Sequence, residues 1–329
     1  MGCVSSKNSI TSDSFRSYTL NSPDNFGASS SSAVRRQGHS PRYGELKGPQ
    51  PSRLVPYQQS LVGVARWPEQ RFNRDDSPHQ MAYGQSFYNK TRELGSEIAE
   101  GSVTNFHELW SKAREWRANM ASENAHVFRE ERDPNTYKVY GTPLAEQYAY
   151  VARKLADRND LETSPSQYSL PPTKSLQIIG KINGEKIPLT QVTVSTDKNA
   201  DRMQEPYLSI RQRGFDDIGE PNQMFHTSAE HVPLIMQHVE DLYRKAIDAR
   251  EPDSKALNTL AEMHWWMAHA MPDKRGSAAK TELCVRSIAQ ARGMDLGPMK
   301  QGIVPDLEAM TMQLKDFMRK YESFFEKPY

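Results

Sequence analysis

The chain is 329 residues long, carries 42 Lys and Arg against 41 Asp and Glu, and is 36% hydrophobic. A net charge of +1 offers no basic stripe to draw nucleic acid, and a mean hydropathy of −0.78 is too polar for a chain packed throughout. The two cysteines, Cys3 and Cys284, build neither a disulfide framework nor a cysteine-based zinc site and fit a reducing cytosol, and no apolar run approaches the ~18–20 residues that span a bilayer.

The chain opens Met1-Gly2-Cys3-Val4-Ser5-Ser6-Lys7. That is the N-myristoylation pattern, a glycine freed by removal of the initiator Met with a hydroxyl residue at position six. Cys3 beside it is a candidate for a palmitoyl chain, and two acyl chains hold a protein on a membrane far better than one. The start lacks the basic-then-apolar layout of a secretory signal. Residues 1–55 are rich in Ser, Asn, Gly and Pro and show no apolar period, so a disordered tether is expected there. Its seven basic against three acidic side chains suit an anionic lipid surface or a solvated linker equally. The folded part is then expected over 56–329.

Order is expected to begin near Leu61-Val62-Gly63-Val64-Ala65-Arg66-Trp67-Pro68. Phe106, Leu109, Trp110, Ala113, Trp116 and Met120 recur at three and four residues, the stripe of an amphipathic helix, with Thr104 as its N-cap. Thr142-Pro143 reads as an N-cap and first helical residue, with a helix through Leu144, Tyr148, Val151 and Leu155. A β-containing insertion is expected at about 159–225: a Pro-rich loop over 159–174, then strands over 176–182 and 187–194 joined at Asn183-Gly184, a type I′ turn signal. Pro188 argues that its strand is an edge. Residues 196–225 give no clear pattern. The C-terminal third reads as four helices, over 229–250, over 254–270, from Ser277 to Gly293, and through Leu314, Phe317, Tyr321 and Phe324. The balance is mainly α, an α+β chain with a small β-hairpin, and no internal repeat.

Chemistry concentrates in Met271-Pro272-Asp273-Lys274-Arg275-Gly276-Ser277-Ala278-Ala279-Lys280, which joins two helices. Small residues at a helix N-terminus let a backbone approach an anion, and Arg275 adds a planar fork suited to phosphate. The string is no Walker loop, and an ordinary interhelical turn is the simpler alternative. Asp306 after Pro305 is either an N-cap or a carboxylate at a cleft edge. His226, before a helix, is a structural or a site residue. His264 and His269 lie five apart, no H-E-x-x-H or other metal spacing occurs, and Cys284 reads as core.

These pieces together resemble the AvrB family of type III secreted effectors from plant-pathogenic bacteria. The resemblance rests on the N-terminal heptapeptide and on Val62 through Pro68 with Phe106-His107-Glu108-Leu109-Trp110. It rests further on Thr142-Pro143-Leu144, and on the long stretch from His264-Trp265-Trp266 through Arg275-Gly276-Ser277-Ala278-Ala279-Lys280 to Asp306-Leu307-Glu308-Ala309-Met310. It implies a two-lobed helical body related to the Fic/Doc (Fido) superfamily, with the β structure in the smaller lobe. The Fic signature H-P-F-x-[DE]-G-N-G-R is absent; Met271-Pro272 and Arg275-Gly276 stand where its His-Pro and acid-Gly pairs would fall, which puts AMP transfer by the usual Fic route in doubt. The resemblance implies a pocket of Thr142, Tyr148, His226, Arg275 and Asp306, with Gly276 and Ser277 beside Arg275. Asp306, His226 and Thr142 would act on the acceptor; Arg275, Gly276, Ser277 and Tyr148 would hold a nucleotide. It implies transfer of a rhamnose-type sugar from a nucleotide sugar, without a metal, to a Ser or Thr of a host immune regulator at the plasma membrane. Secretion by the type III route, host acylation of Gly2 and Cys3, and surveillance by plant resistance proteins would follow. A non-catalytic peptide-binding effector and a Fic-type nucleotidyl transferase stay open as alternatives.

Overall fold

The computed structural model describes residues 45–73, 77–121, 123–133, 141–164, 172–196 and 222–328. Gly2 and Cys3, and the tether as far as residue 44, lie outside them. Residues 45–55, assigned above to the tether, run extended along the body. Gly48 N–H donates to the Ala291 carbonyl at 2.9 Å, and Ser52 Oγ, itself 2.7 Å from the Tyr88 hydroxyl, donates to Asp295 at 2.7 Å.

A short helix α1 (Pro56–Ser60) leads into α2 (Pro78–Ala99), capped by the Ser77 hydroxyl, and α3 (Phe106–Asn119) follows. The cap of α3 is Asn105, whose side chain accepts from Glu108 N at 2.9 Å. Thr104, expected in that role, instead donates from its N–H and hydroxyl to the Glu108 carboxylate at 2.8 and 3.1 Å. Phe106, Leu109, Trp110 and Ala113 of the predicted stripe are buried.

The Thr142-Pro143 reading is corrected. These residues form strand β1 (Gly141–Pro143), and α4 (Ala149–Ala156) starts only after a single 3₁₀ turn. A proline fixes φ at a value that both a helix start and an extended strand accept, so the dipeptide alone does not choose. Pairing with β5 (Gln223–Phe225) decides it, Thr142 standing opposite Met224. Strands β2 (Thr163–Ser164), β3 (Thr173–Ile182) and β4 (Glu185–Ser195) complete an antiparallel sheet of order β1-β5-β4-β3-β2. Asn183 and Gly184 both have positive φ, 51° and 90°, as the predicted type I′ turn requires. The strand bearing Pro188 is interior, not an edge. However, β5 pairs only with Gln191–Thr193, so Pro188, which has no N–H to offer, sits in the half of β4 with one neighbour.

The C-terminal helices are α5 (Val232–Ala246), α6 (Asp253–Ala270), α7 (Ser277–Ala291), α8 (Pro305–Thr311) and α9 (Leu314–Tyr321). Helix α7 is buried on nearly every side, packed by α2, α3 and α6, the position of a central core helix. The sheet approaches α6 closely through Gly180, where a Cβ would meet the Trp266 ring at 2.3 Å. The described residues are mainly α with one small antiparallel sheet. No helix among the described residues is long and apolar enough to cross a membrane.

Candidate functional site

The sheet supplies the first part of the site. Thr142 on β1 is diagonal to His226, one residue past β5, and the Thr142 hydroxyl lies 2.7 Å from His226 Nε2. His226 is buried, and desolvation together with the nearby Arg132 charge pushes its pKa down to about 3. Its imidazole is therefore neutral at any physiological pH. Arg132, which sequence reasoning did not single out, ties this corner to the 271–276 loop. Its guanidinium donates to the Thr227 carbonyl at 2.7 Å and the Ala270 carbonyl at 3.1 Å, and its N–H to the Pro272 carbonyl at 2.8 Å.

That loop supplies the second part. Met271 ends α6 in the left-handed region, φ 41° and ψ 64°, unusual for a side chain of its size. Below the loop lies a dry charge cluster. The Lys280 ammonium, wholly buried, donates to Asp273 Oδ2 at 2.5 Å, the Phe128 carbonyl at 2.6 Å and the Arg275 carbonyl at 2.9 Å, which uses all three of its protons. Arg114 grips the other side of Asp273 at 2.7 and 3.2 Å. Arg275 is thus held through its carbonyl, while its exposed guanidinium has no ion-pair or hydrogen-bond partner among the described residues. Gly276 precedes α7 with φ 75°, and a Cβ there would meet the Phe128 ring at 2.8 Å. Only glycine suits both the conformation and the space. Ser277 is buried and closes on its own loop: its hydroxyl donates to the Asp273 carbonyl at 3.1 Å and accepts from Asp273 N at 3.2 Å. Its backbone, not its hydroxyl, is what the helix end presents.

Helix α8 supplies the third part. Val304 occupies the N-cap position and Pro305 the first turn, so Asp306 is inside the helix and is not its cap. The Asp306 carboxyl is buried, and its Oδ2 has no hydrogen-bond partner among the described residues. Burial raises its pKa, the Glu282 charge adds to the rise, and the backbone N–H groups of Asp306 and Leu307 oppose it. Burial drives the phenol pKa of Tyr150 on α4 up, and the Glu308 and Asp306 charges add to the rise. Tyr148 itself is half-buried, its ring edge-on to Trp67 with centroids 5.4 Å apart. Lys154 pairs with Glu308 at 3.0 Å, tying α4 to α8.

The structure therefore joins Thr142 directly to His226, and brings Tyr148 and Asp306 around Tyr150. Arg275, Gly276 and Ser277 are contiguous and linked to the His226 corner through Arg132. No hydrogen bond among the described residues joins Arg275 to Asp306. Cys284 is buried with its thiol pKa pushed up by desolvation, so it is a core residue. Among the described residues no group of three or more His, Cys, Asp or Glu is placed to hold a metal ion. Tyr150 and Arg132 carried no local signal as site residues, since their surroundings come from residues far along the chain.

Two comparisons bear on this geometry. Residues 1–328 match the family model AvrB_AvrC, described as avirulence protein. The chain is 34% identical over 338 residues to avirulence protein B of Pseudomonas savastanoi pv. glycinea, covering 99% of both proteins.

Proposed function

Since the chain belongs to the AvrB_AvrC family of avirulence proteins, we propose that it is a plant-cell effector that transfers a rhamnose-type sugar from a nucleotide sugar to a Ser or Thr of a host immune regulator. The observation that supports the reading is Asp306: a buried carboxylate with one oxygen free of hydrogen bonds among the described residues, its pKa raised by burial. Arg275 and the backbone N–H groups after Gly276 would take the donor diphosphate, with the positive end of α7 behind them. As the bond from the sugar C1 to the phosphate oxygen breaks, negative charge grows on the leaving nucleoside diphosphate and meets the Arg275 guanidinium. The acceptor hydroxyl forms the new bond to C1 and its proton passes to Asp306 Oδ2. His226 and Thr142, neutral and bonded to each other, orient the acceptor and carry no charge into the step. Tyr148 flanks the nucleotide. No metal is invoked. A two-lobed relation to the Fido fold belongs to the same proposal.

Incubating the full-length chain with host plasma-membrane proteins and nucleotide-linked rhamnose should add one deoxyhexose to a target Ser or Thr. Asp306→Asn should lower that rate by about a hundredfold or more, the scale of general-base removal, with nucleotide affinity retained. A target that is bound but unchanged in mass would make the protein a peptide-binding effector, and a nucleotide-sized gain would make it a nucleotidyl transferase.

Gly2 and Cys3 would place this enzyme where its target sits. Bacteria lack the myristoyl transferase, so the motif is addressed to the host's enzymes. In plant cells Gly2→Ala should shift the protein from the membrane fraction to the soluble one while leaving transfer in solution intact. An N-terminal peptide found unacylated by mass spectrometry in the wild type would end the lipidation reading.

A further inference from the structure

Strand β4 holds one more residue than β3 between their matched positions. Gln177 pairs with Gln191 and Ile179 with Pro188, so Leu189 and Thr190 together face the single Ile178. This is a β-bulge, and it turns both Leu189 and Thr190 inward, where both are buried. The carbonyls freed by the irregularity are not left bare. Gln177 Nε2 reaches the Ile178, Leu189 and Thr190 carbonyls at 3.0, 3.1 and 3.3 Å. A regular strand would have spared that arrangement and sent one of the two side chains to the outer face.

The inward Thr190 meets a histidine. Its hydroxyl lies 2.8 Å from His269 Nδ1, both groups fully buried. Thr190 stands one step past the last ladder pair, Gln191 with Phe225, and His226 stands one step past it on the other strand. His269 lies on α6, which packs against α8, the helix that carries Asp306. The Trp265 ring fixes its plane, with centroids 4.4 Å apart.

We infer that Thr190 and His269 form a positioning pair for the site, set by the β4 bulge, which holds the Thr142–His226 corner of the sheet in register with the helix that carries Asp306. The inference rests on the reading of Thr142, His226 and Asp306 as one site. The pair touches neither donor nor acceptor. It fixes the ring of His269, and through it the separation between the group that orients the acceptor and the group that takes its proton. Misplacement of reacting groups by a fraction of an ångström costs rate, not binding.

The test compares Thr190→Val with Thr190→Ser in the full-length chain. Thr190→Val keeps the shape and removes the hydroxyl; Thr190→Ser restores the hydroxyl. Thr190→Val should lower kcat for sugar transfer by about tenfold or more, leave the KM for the nucleotide sugar within about twofold, and move the ring ¹⁵N resonances of His226 as well as those of His269. Thr190→Ser should return kcat and both sets of resonances close to wild type. Serine behaving like valine would reduce Thr190 to packing and overturn the inference, as would unmoved His226 resonances in the valine variant. If the wild type transfers no sugar, the enzymatic reading falls, and the His226 resonances alone decide whether the two pairs are coupled.

Discussion

Asp273→Ala should destabilise the protein by about 3–5 kcal/mol in urea unfolding, the range for breaking a buried ion pair from one side. Among the described residues, the substitution removes the only carboxylate bonded to Lys280 and leaves Arg114 with the exposed Glu131 as its remaining anion. Lys280 is fully buried, and desolvation already draws its pKa down, so without Asp273 it folds either as an uncompensated cation or as a neutral amine. As a cation it is an unpaired buried charge, and as a neutral amine it leaves the Phe128 and Arg275 carbonyls without a charged donor, so both states are costly. The double change Asp273→Ala with Lys280→Met should recover part of the loss, because a buried pair replaced by apolar groups is often near neutral. On the proposed reading, recovery of stability should not bring recovery of nucleotide binding. The Arg275 carbonyl would still lack its Lys280 donor, and the loop that presents the guanidinium would lose its brace. UDP titration of the single and double variants separates the two effects. A single variant as stable as wild type would show that the cluster is not what holds the loop.

The contrast between this cluster and its sequence explains what was legible in advance. Patterns carried by neighbours three or four apart were readable: the stripe from Phe106 to Ala113, the Asn183-Gly184 turn, the long C-terminal helices. The loop around Arg275 was also readable as an interhelical turn that opens a helix, since small residues and a helix start are local signals. What the string did not disclose is that Ser277 spends its hydroxyl on Asp273 and that Lys280 turns back beneath the loop, because both depend on burial. Thr142-Pro143 went the other way. Its local preference fits a helix start, and a partner strand more than eighty residues later overrides it. Thr190 and His269 had no local signal at all. Alternation along β4 would give one of Leu189 and Thr190 to solvent, and only the bulge opposite Ile178 brings both inward.

Acid should unfold this protein well before its surface carboxylates protonate. His226, His264 and His269 are buried, and desolvation, assisted by Arg132, Arg286 and His226 respectively, pushes each pKa down to about 3. Their unfolded value is about 6.5. Between those limits the unfolded chain binds three more protons than the folded one, so stability is full above about pH 6.5 and falls as the pH drops toward 3. At pH 5 each histidine contributes a loss of about 2 kcal/mol, about 6 kcal/mol for the three, comparable to the whole stability of an ordinary domain. The result depends little on the folded-state values, provided they lie well below 5. Asp306 works in the opposite sense, since its raised pKa favours the folded state as the pH falls, but it is one group against three. Urea midpoints between pH 7.5 and 5 measure the slope. His264→Gln should remove about a third of it, since His264 bonds Tyr321 at 2.8 Å and lies apart from the Thr142–His226 pair. A flat profile would mean that the three rings are charged in the fold. On the proposed reading, a histidine with its pKa near 3 stays neutral during transfer, so His226 would position the acceptor through its bond to Thr142 and leave the acceptor's proton to Asp306.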